Sequence, residues 1–266
     1  MRERYDPGEY WERLHARDGL DAVGQSGMPA NFNRWLYSGT ADRLEQFVLR
    51  HGLRPQTVLD VGSGTGYWVA WWAARGVQRV DGCDLVPVAV DRLRDRFPGT
   101  FEVLDIGTAA PSGTYDLVSV LNVLLHITDE ERFRSALRNL AAAVRPGGYL
   151  LMIEPIQKGV GYRVSYPEGA SSLARPVLAY MDPLIDAGLE VVALEGATAI
   201  GADPIEASNR AALAGWRALW RLAKLPPKMW ARSGHLTGWL VWKLDPMLLR
   251  RGYAPSSKVL LMKRPG

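Results

Sequence analysis

The 266-residue chain is 47% hydrophobic and 23% charged, the balance of an ordinary folded protein, which excludes a disordered, collagenous or membrane-embedded chain. Its single cysteine, Cys83, excludes an internal disulfide and a multi-cysteine metal site, so the cytoplasm is the expected compartment. The net charge of +4 conceals an asymmetry: Arg210 to Arg251 holds nine Lys/Arg against Asp245 alone, leaving 23 of 32 basic and 27 of 28 acidic residues to the rest of the chain.

Residues 1 to about 50 read as helical, with Trp11, Phe32, Trp35 and Tyr37 as aromatic anchors. No apolar stretch follows the first residues, and nowhere do about 18 apolar residues run together, so neither a signal peptide nor a spanning helix is expected. From Thr57 onward, short β-rich apolar runs alternate with helical patterns, the signature of an α/β fold with a mostly parallel sheet. Residues 57–61 predict a first strand, Gly62-Ser63-Gly64-Thr65-Gly66 a turn, and residues 67–75 a helix. A second strand follows over 79–84, a helix over 86–97, and a short third strand over 101–104 that ends at Asp105. Residues 115–121 form a fourth, deeply apolar strand. Thr128-Asp129-Glu130-Glu131 then caps a helix that Arg145-Pro146-Gly147-Gly148 ends. Strands over 149–154 and 190–194 flank a helix over 176–187, and a last strand covers 258–263. The basic segment, which also holds five of the ten tryptophans, intervenes before that last strand, and Pro226-Pro227 is expected to end its first helix.

A strand running into a glycine turn and then a helix points backbone N–H groups and a positive helix end at one spot, the default nucleotide site of such a fold. The dinucleotide fingerprint wants its third glycine three residues after the second, whereas Gly64 is followed by Gly66 and Tyr67 takes the required position. Asp60, two residues before the first glycine, repels a pyrophosphate and suits a ligand with an ammonium group. An amino-acid-bearing nucleoside fits better than a dinucleotide.

Through Asp60-Val61-Gly62-Ser63-Gly64-Thr65-Gly66, Asp84, Asp105, Tyr115-Asp116-Leu117-Val118 and Arg145-Pro146-Gly147-Gly148, the chain resembles the class I S-adenosylmethionine-dependent methyltransferases over roughly residues 55 to 155. The resemblance implies a Rossmann-like, doubly wound seven-stranded sheet in the order 3-2-1-4-5-7-6 with the last strand antiparallel. It implies S-adenosyl-L-methionine as cofactor, with Asp60, Gly62 and Gly64 at the methionine moiety, Asp84 and Leu85 at the ribose, and Asp105 and Ile106 at the adenine. Asn122 and, from a leading helix, Arg34 with Tyr37 complete that set. The expected parts are a helical lid over 1–50, the core over 51–200, an inserted helical cap over 201–252, and a closing strand over 253–266.

In this fold the acceptor approaches above strands four and five, where Asn122, His126, Glu154 and Gln157 are the polar candidates. His126 and Glu154 are the catalytic candidates, each a possible general base for a hydroxyl acceptor and each equally able to serve structurally. Arg163, Tyr166 and Arg175 lie where related enzymes contact acceptors; the two arginines would suit a carboxylate or phosphate, or stand as solvated loop residues. His15, His51 and His235 form no spaced constellation with carboxylates, so no metal is expected. For the insertion three readings stay open: a cap packed on the pocket with its basic stripe in solvent, a membrane-surface helix serving a lipid-linked acceptor, or, ranked last, a nucleic-acid contact. The expected reaction is methyl transfer, at oxygen, to a small or medium-sized acceptor in secondary-metabolite or surface-glycan biosynthesis. A non-catalytic cofactor-binding relative is the alternative from another class.

Overall fold

The computed structural model describes residues 5–17, 19–25, 27–159, 161–164 and 170–266 and gathers the β-rich runs into one seven-stranded sheet. Its strands are β1 (Thr57–Val61), β2 (Arg79–Asp84), β3 (Phe101–Val103), β4 (Tyr115–Leu121), β5 (Val144–Glu154), β6 (Glu190–Gly196) and β7 (Lys258–Lys263). Their order is β3-β2-β1-β4-β5-β7-β6, and β7 runs antiparallel to both β5 and β6. Four two-residue strands, Ile156–Gln157, Tyr162–Arg163, Arg175–Pro176 and Glu206–Ala207, pair in two small ladders outside the sheet.

Before the sheet come α1 (Pro7–His15), α2 (Leu20–Val23) and α3 (Ala30–Arg50). Between strands lie α4 (Tyr67–Ala73), α5 (Pro87–Arg96), α6 (Glu130–Ala142) and α7 (Val177–Asp186), with α8 (Arg210–Met229) and α9 (Gly234–Arg250) inserted before β7. Strand alternation sorts the apolar side chains to two faces. Leu59, Val118, Val120 and Met152 pack under α6 and α7, whereas Val58, Leu117, Leu151 and Leu261 pack under α3, α4 and α5. At the end of the sheet away from the glycine turn, Asp116 accepts the N–H groups of Gln56 and Thr57 at 2.7 and 2.9 Å and so fixes β1 against β4. A third cluster of Met28, Phe32, Ile200, Trp220 and Val241 joins the N-terminal helices to the insertion.

Two expectations are corrected here. Helix α6 stops at Ala142, and Arg145 to Gly148 lie within the β5 span rather than closing the helix. Gly148 is needed there because a Cβ would come within 3.0 Å of the Tyr115 and Asp116 carbonyls of the neighbouring strand. Helix α8 also runs through Pro226 and Pro227 to Met229. Both prolines fall in its last turn, where they forfeit only two helical hydrogen bonds, and the Trp230 N–H closes that turn on the Pro226 carbonyl at 2.8 Å. Among the described residues no helix is long and apolar enough to cross a membrane.

Candidate active site

The C-terminal ends of β1, β2 and β4 open into a cavity of about 1830 Å³, well above the roughly 300–1,000 Å³ that one small molecule occupies. The glycine turn forms one wall. Gly62 and Gly64 have φ of +69° and +53°, and a Cβ on Gly62 would stand 2.5 Å from the Val123 side chain. The N–H groups of Gly62 and Ser63 donate to the Cys83 carbonyl at 2.8 and 3.0 Å, which ties the turn to β2. Asp60 is buried one residue behind this wall. Its Oδ2 has no hydrogen-bond partner among the described residues, and burial pushes its carboxyl up to about 8.

At the end of β2, Asp84 is buried yet reaches the cavity. Its Oδ2 accepts the Gly64 N–H at 2.8 Å and its Oδ1 the Val86 N–H at 3.0 Å. Burial raises its pKa, opposed by those N–H groups and by the neighbouring His15. Leu85 and Ile106 also line the cavity, as does Asp105, which is ion-paired to Arg132 and accepts the Gly107 N–H at 2.9 Å. Asn122 follows β4 with φ of +59°, a conformation Asn tolerates better than most residues, and its side chain lies open to the cavity. Arg34 departs from expectation: it is exposed and outside the cavity wall. At about 100° per residue it turns away from Asn33, the buried polar residue of that segment. The Asn33 amide accepts the Gln25 N–H at 2.9 Å and donates to the Leu20 carbonyl at 3.1 Å, fixing a loop that lines the cavity. Tyr37, from the same helix, does line it.

His126 lies in the cavity wall, in edge contact with Trp11 of α1 at 4.8 Å between ring centroids. Its Nδ1 sits 3.0 Å from the Ser171 carbonyl. A carbonyl only accepts, so Nδ1 carries the proton and Nε2 keeps a lone pair. Burial lowers the pKa of the ring, which favours this neutral form. Glu154, by contrast, is a correction to the catalytic set. It is fully buried and outside the cavity wall, with Oε1 accepting the N–H groups of Val123 and Leu124 at 2.8 and 2.9 Å and Oε2 that of Leu125 at 3.1 Å. Strand alternation turns it under the loop, where it holds the turn that carries His126. Gln157 is likewise buried and outside the wall, donating to the Val164 carbonyl at 3.2 Å.

Of the three acceptor-side residues, Arg175 is buried, paired with Glu130 at 3.1 Å and stacked 3.9 Å from the Phe133 ring centroid. Arg163 is exposed in a two-residue ladder, and Tyr166 lies outside the described residues. The cations that do line the cavity are Arg132, which is paired with Asp105, and Arg217, Arg221 and Lys224 of α8, beside the buried Trp220. Part of the basic stripe therefore borders the cavity, with Arg217 and Lys224 half-buried and Arg221 exposed. Among the described residues no His/Cys/Asp/Glu group could hold a metal ion.

A family model for a methyltransferase domain matches residues 32–182, more than half of the chain. The chain belongs to this methyltransferase family. It is an enzyme that transfers a methyl group with S-adenosylmethionine as cofactor. Its fold is similar to that of the N-methyltransferase NodS from Bradyrhizobium japonicum WM9 in complex with S-adenosyl-L-homocysteine, at 14% identity over 97% of this chain and 98% of that one, TM-score 0.55. It is also similar to an O-methyltransferase from a trans-AT polyketide synthase multienzyme of Brevibacillus brevis, at 14% identity over 99% of this chain and 82% of the other, TM-score 0.54. An S-adenosylmethionine-dependent methyltransferase from Clostridium acetobutylicum ATCC 824 matches at 10% identity over 86% and 92%, TM-score 0.54. No curated protein matches. The residues present fit the cofactor: Asp60 keeps a buried carboxyl oxygen without a partner behind the turn, the Asp84 carboxyl reaches the cavity, and Gly62 and Gly64 put no side chain between the turn and the cavity.

Proposed function

We propose that the methyltransferase acts on a hydroxyl of a small or medium-sized acceptor in secondary-metabolite or surface-glycan biosynthesis, with His126 as general base. The observation that carries this reading is the His126 ring, fixed in the cavity wall by the Ser171 carbonyl so that Nε2 is left to accept a proton. In it, Gly62, Gly64 and Asp60 hold the methionine end of the cofactor, Asp84 and Leu85 the ribose, Asp105 and Ile106 the adenine, and Asn122 borders the reacting end. The bound sulfonium supplies an already activated methyl group. What remains for the chain is to place the acceptor oxygen in line, exclude water and take one proton. Trp11 and α1 cover His126, and the hydroxyl proton passes to Nε2 as the oxygen takes the methyl.

The experiment is transfer of labelled methyl from S-adenosylmethionine into a host extract separated into aqueous, lipid and nucleic-acid fractions. Label in the aqueous fraction, cut by about 10²–10⁴-fold in His126→Ala, is the expected result. No transfer by the parent protein, or full transfer by the variant, rejects this reading.

A second reading, an amphiphilic acceptor met at an anionic membrane surface, is favoured by one observation. Leu222, Leu225, Met229 and Trp230 stand exposed beside Lys228 and Arg232, with Leu222 and Trp230 at 64% and 65%. Co-sedimentation with anionic vesicles at low salt and release at high salt is expected of it. Protein that stays in the supernatant at low salt removes it.

A further inference from the structure

Helix α8 presents three cations to the cavity, and their partners differ. Trp220 is buried against Phe32, with ring centroids 6.2 Å apart, and anchors the helix. At about 100° per residue, Lys224, Arg217 and Arg221 fall about 40°, 60° and 100° round the axis from Trp220, a stripe on one flank of that seam. Lys224 is engaged, 3.2 Å from Asp203 and 4.8 Å from the centre of the Trp220 ring. Arg217 and Arg221 have no hydrogen-bond, ion-pair or ring partner among the described residues, although both line the cavity. Of the acids that line the cavity, Asp203 is paired with Lys224 and Asp105 with Arg132, and Asp84 accepts backbone N–H groups. Like charges four residues apart on a helix repel, so two guanidinium groups on one cavity wall, Arg217 half-buried and Arg221 exposed at its rim, are suited to an anion placed between them. Planar guanidinium forks match oxyanions in bidentate contact.

We infer that Arg217 and Arg221 bind an oxyanion of the methyl acceptor, so that the acceptor is an anionic molecule carrying a phosphate or carboxylate group. The inference rests on the reading of this cavity as the site of methyl transfer. It assigns specificity to the inserted helix and the methyl donor to the glycine turn. A free phosphorylated or carboxylated metabolite and a lipid headgroup share this chemistry.

The test is calorimetric titration of inorganic pyrophosphate, as an oxyanion probe, into protein saturated with S-adenosyl-L-homocysteine. Saturable binding is expected, weakened at least tenfold in Arg217→Ala/Arg221→Ala and partly restored in Arg217→Lys/Arg221→Lys. It should be unchanged in Arg232→Ala/Arg250→Ala, which removes the same charge from exposed positions outside the cavity. Absence of saturable binding, or equal loss in the two alanine pairs, overturns the inference. The preceding saturation step separates this failure from the wider one: protein that fails to bind S-adenosyl-L-homocysteine has lost the cavity reading itself. In the extract assay, labelled product is expected to be retained by an anion exchanger at neutral pH. Its presence in the aqueous or the lipid fraction distinguishes a metabolite from a headgroup, and product in the neutral flow-through contradicts the inference.

Discussion

The two walls of the cavity are made in different ways. Gly62, Gly64, Asp84, Asp105 and Asn122 all stand within three residues of the C-terminal end of a parallel strand, and their positions follow from sheet register and backbone hydrogen bonds. Trp11, Arg217 and Trp220 come from helices outside the sheet, and their placement depends on contacts across the whole chain. Trp35 Nε1 donates to His235 at 3.1 Å, Trp242 Nε1 to Asp42 at 2.7 Å and Asn31 to the Ala231 carbonyl at 2.9 Å, each across 200 residues of sequence. The turn wall is thus a product of local rules that serve any acceptor, while the helical wall can be rebuilt without disturbing the sheet.

Variants confined to one wall test whether the two act separately. The largest expected effect is at Gly62. Gly62→Ala places a Cβ against Val123 on a backbone of φ +69°, and S-adenosyl-L-homocysteine affinity by calorimetry is expected to fall at least a hundredfold, about 3 kcal/mol, with the far-ultraviolet circular dichroism retained. Next, Asp84→Asn changes the carboxyl proposed to hold the ribose and is expected to weaken the same binding about tenfold. On the acceptor side, the rate of label transfer is expected to be level at and above neutral pH and to fall as pH drops through a value below 6.5. His126 must be neutral to take a proton, and burial lowers its pKa. A rate that falls instead as pH drops through a value above 6.5 removes His126 as the base.

Two smaller effects concern stability. Glu154→Gln leaves one of three loop N–H groups poorly matched and is expected to cost about 1–3 kcal/mol, a melting temperature lower by about 2–4 °C per kcal/mol. For Asp60, the folded state holds a proton up to about pH 8 while the unfolded chain releases it near 3.8. The folded state therefore binds more protons between those values, and stability falls as pH rises across that window. Asp60→Asn is expected to flatten this slope, which melting curves of both proteins at pH 5, 6.5 and 8 read directly.

What the sequence disclosed follows the same division. The strand-ending acids and the glycine turn are legible because the residue that does the work also sits at the punctuation of its own element. Asp129 shows this too: its side chain accepts the Arg132 N–H at 2.8 Å and caps α6 where the capping pattern predicts a helix start. Glu154 misleads because its type and place suit catalysis while strand alternation turns it under the loop. Arg34 misleads through its neighbour, since one step along a helix moves the buried amide of Asn33 to an exposed guanidinium. The place of Arg217 and Arg221 on the cavity wall is not legible in the sequence, because a basic stripe reads the same whether it faces water or a cavity. What decides between them is Trp220, which the packing of residues 28 and 32 holds inward.

The most direct test of this division is one titration of S-adenosyl-L-homocysteine into the parent protein, Gly62→Ala, His126→Ala and Arg217→Ala/Arg221→Ala. One-to-one binding by the parent, lost in Gly62→Ala and kept within about twofold in the other two, is the predicted result. Absence of binding by the parent, or a loss in either of the other two variants as large as that in Gly62→Ala, would contradict it.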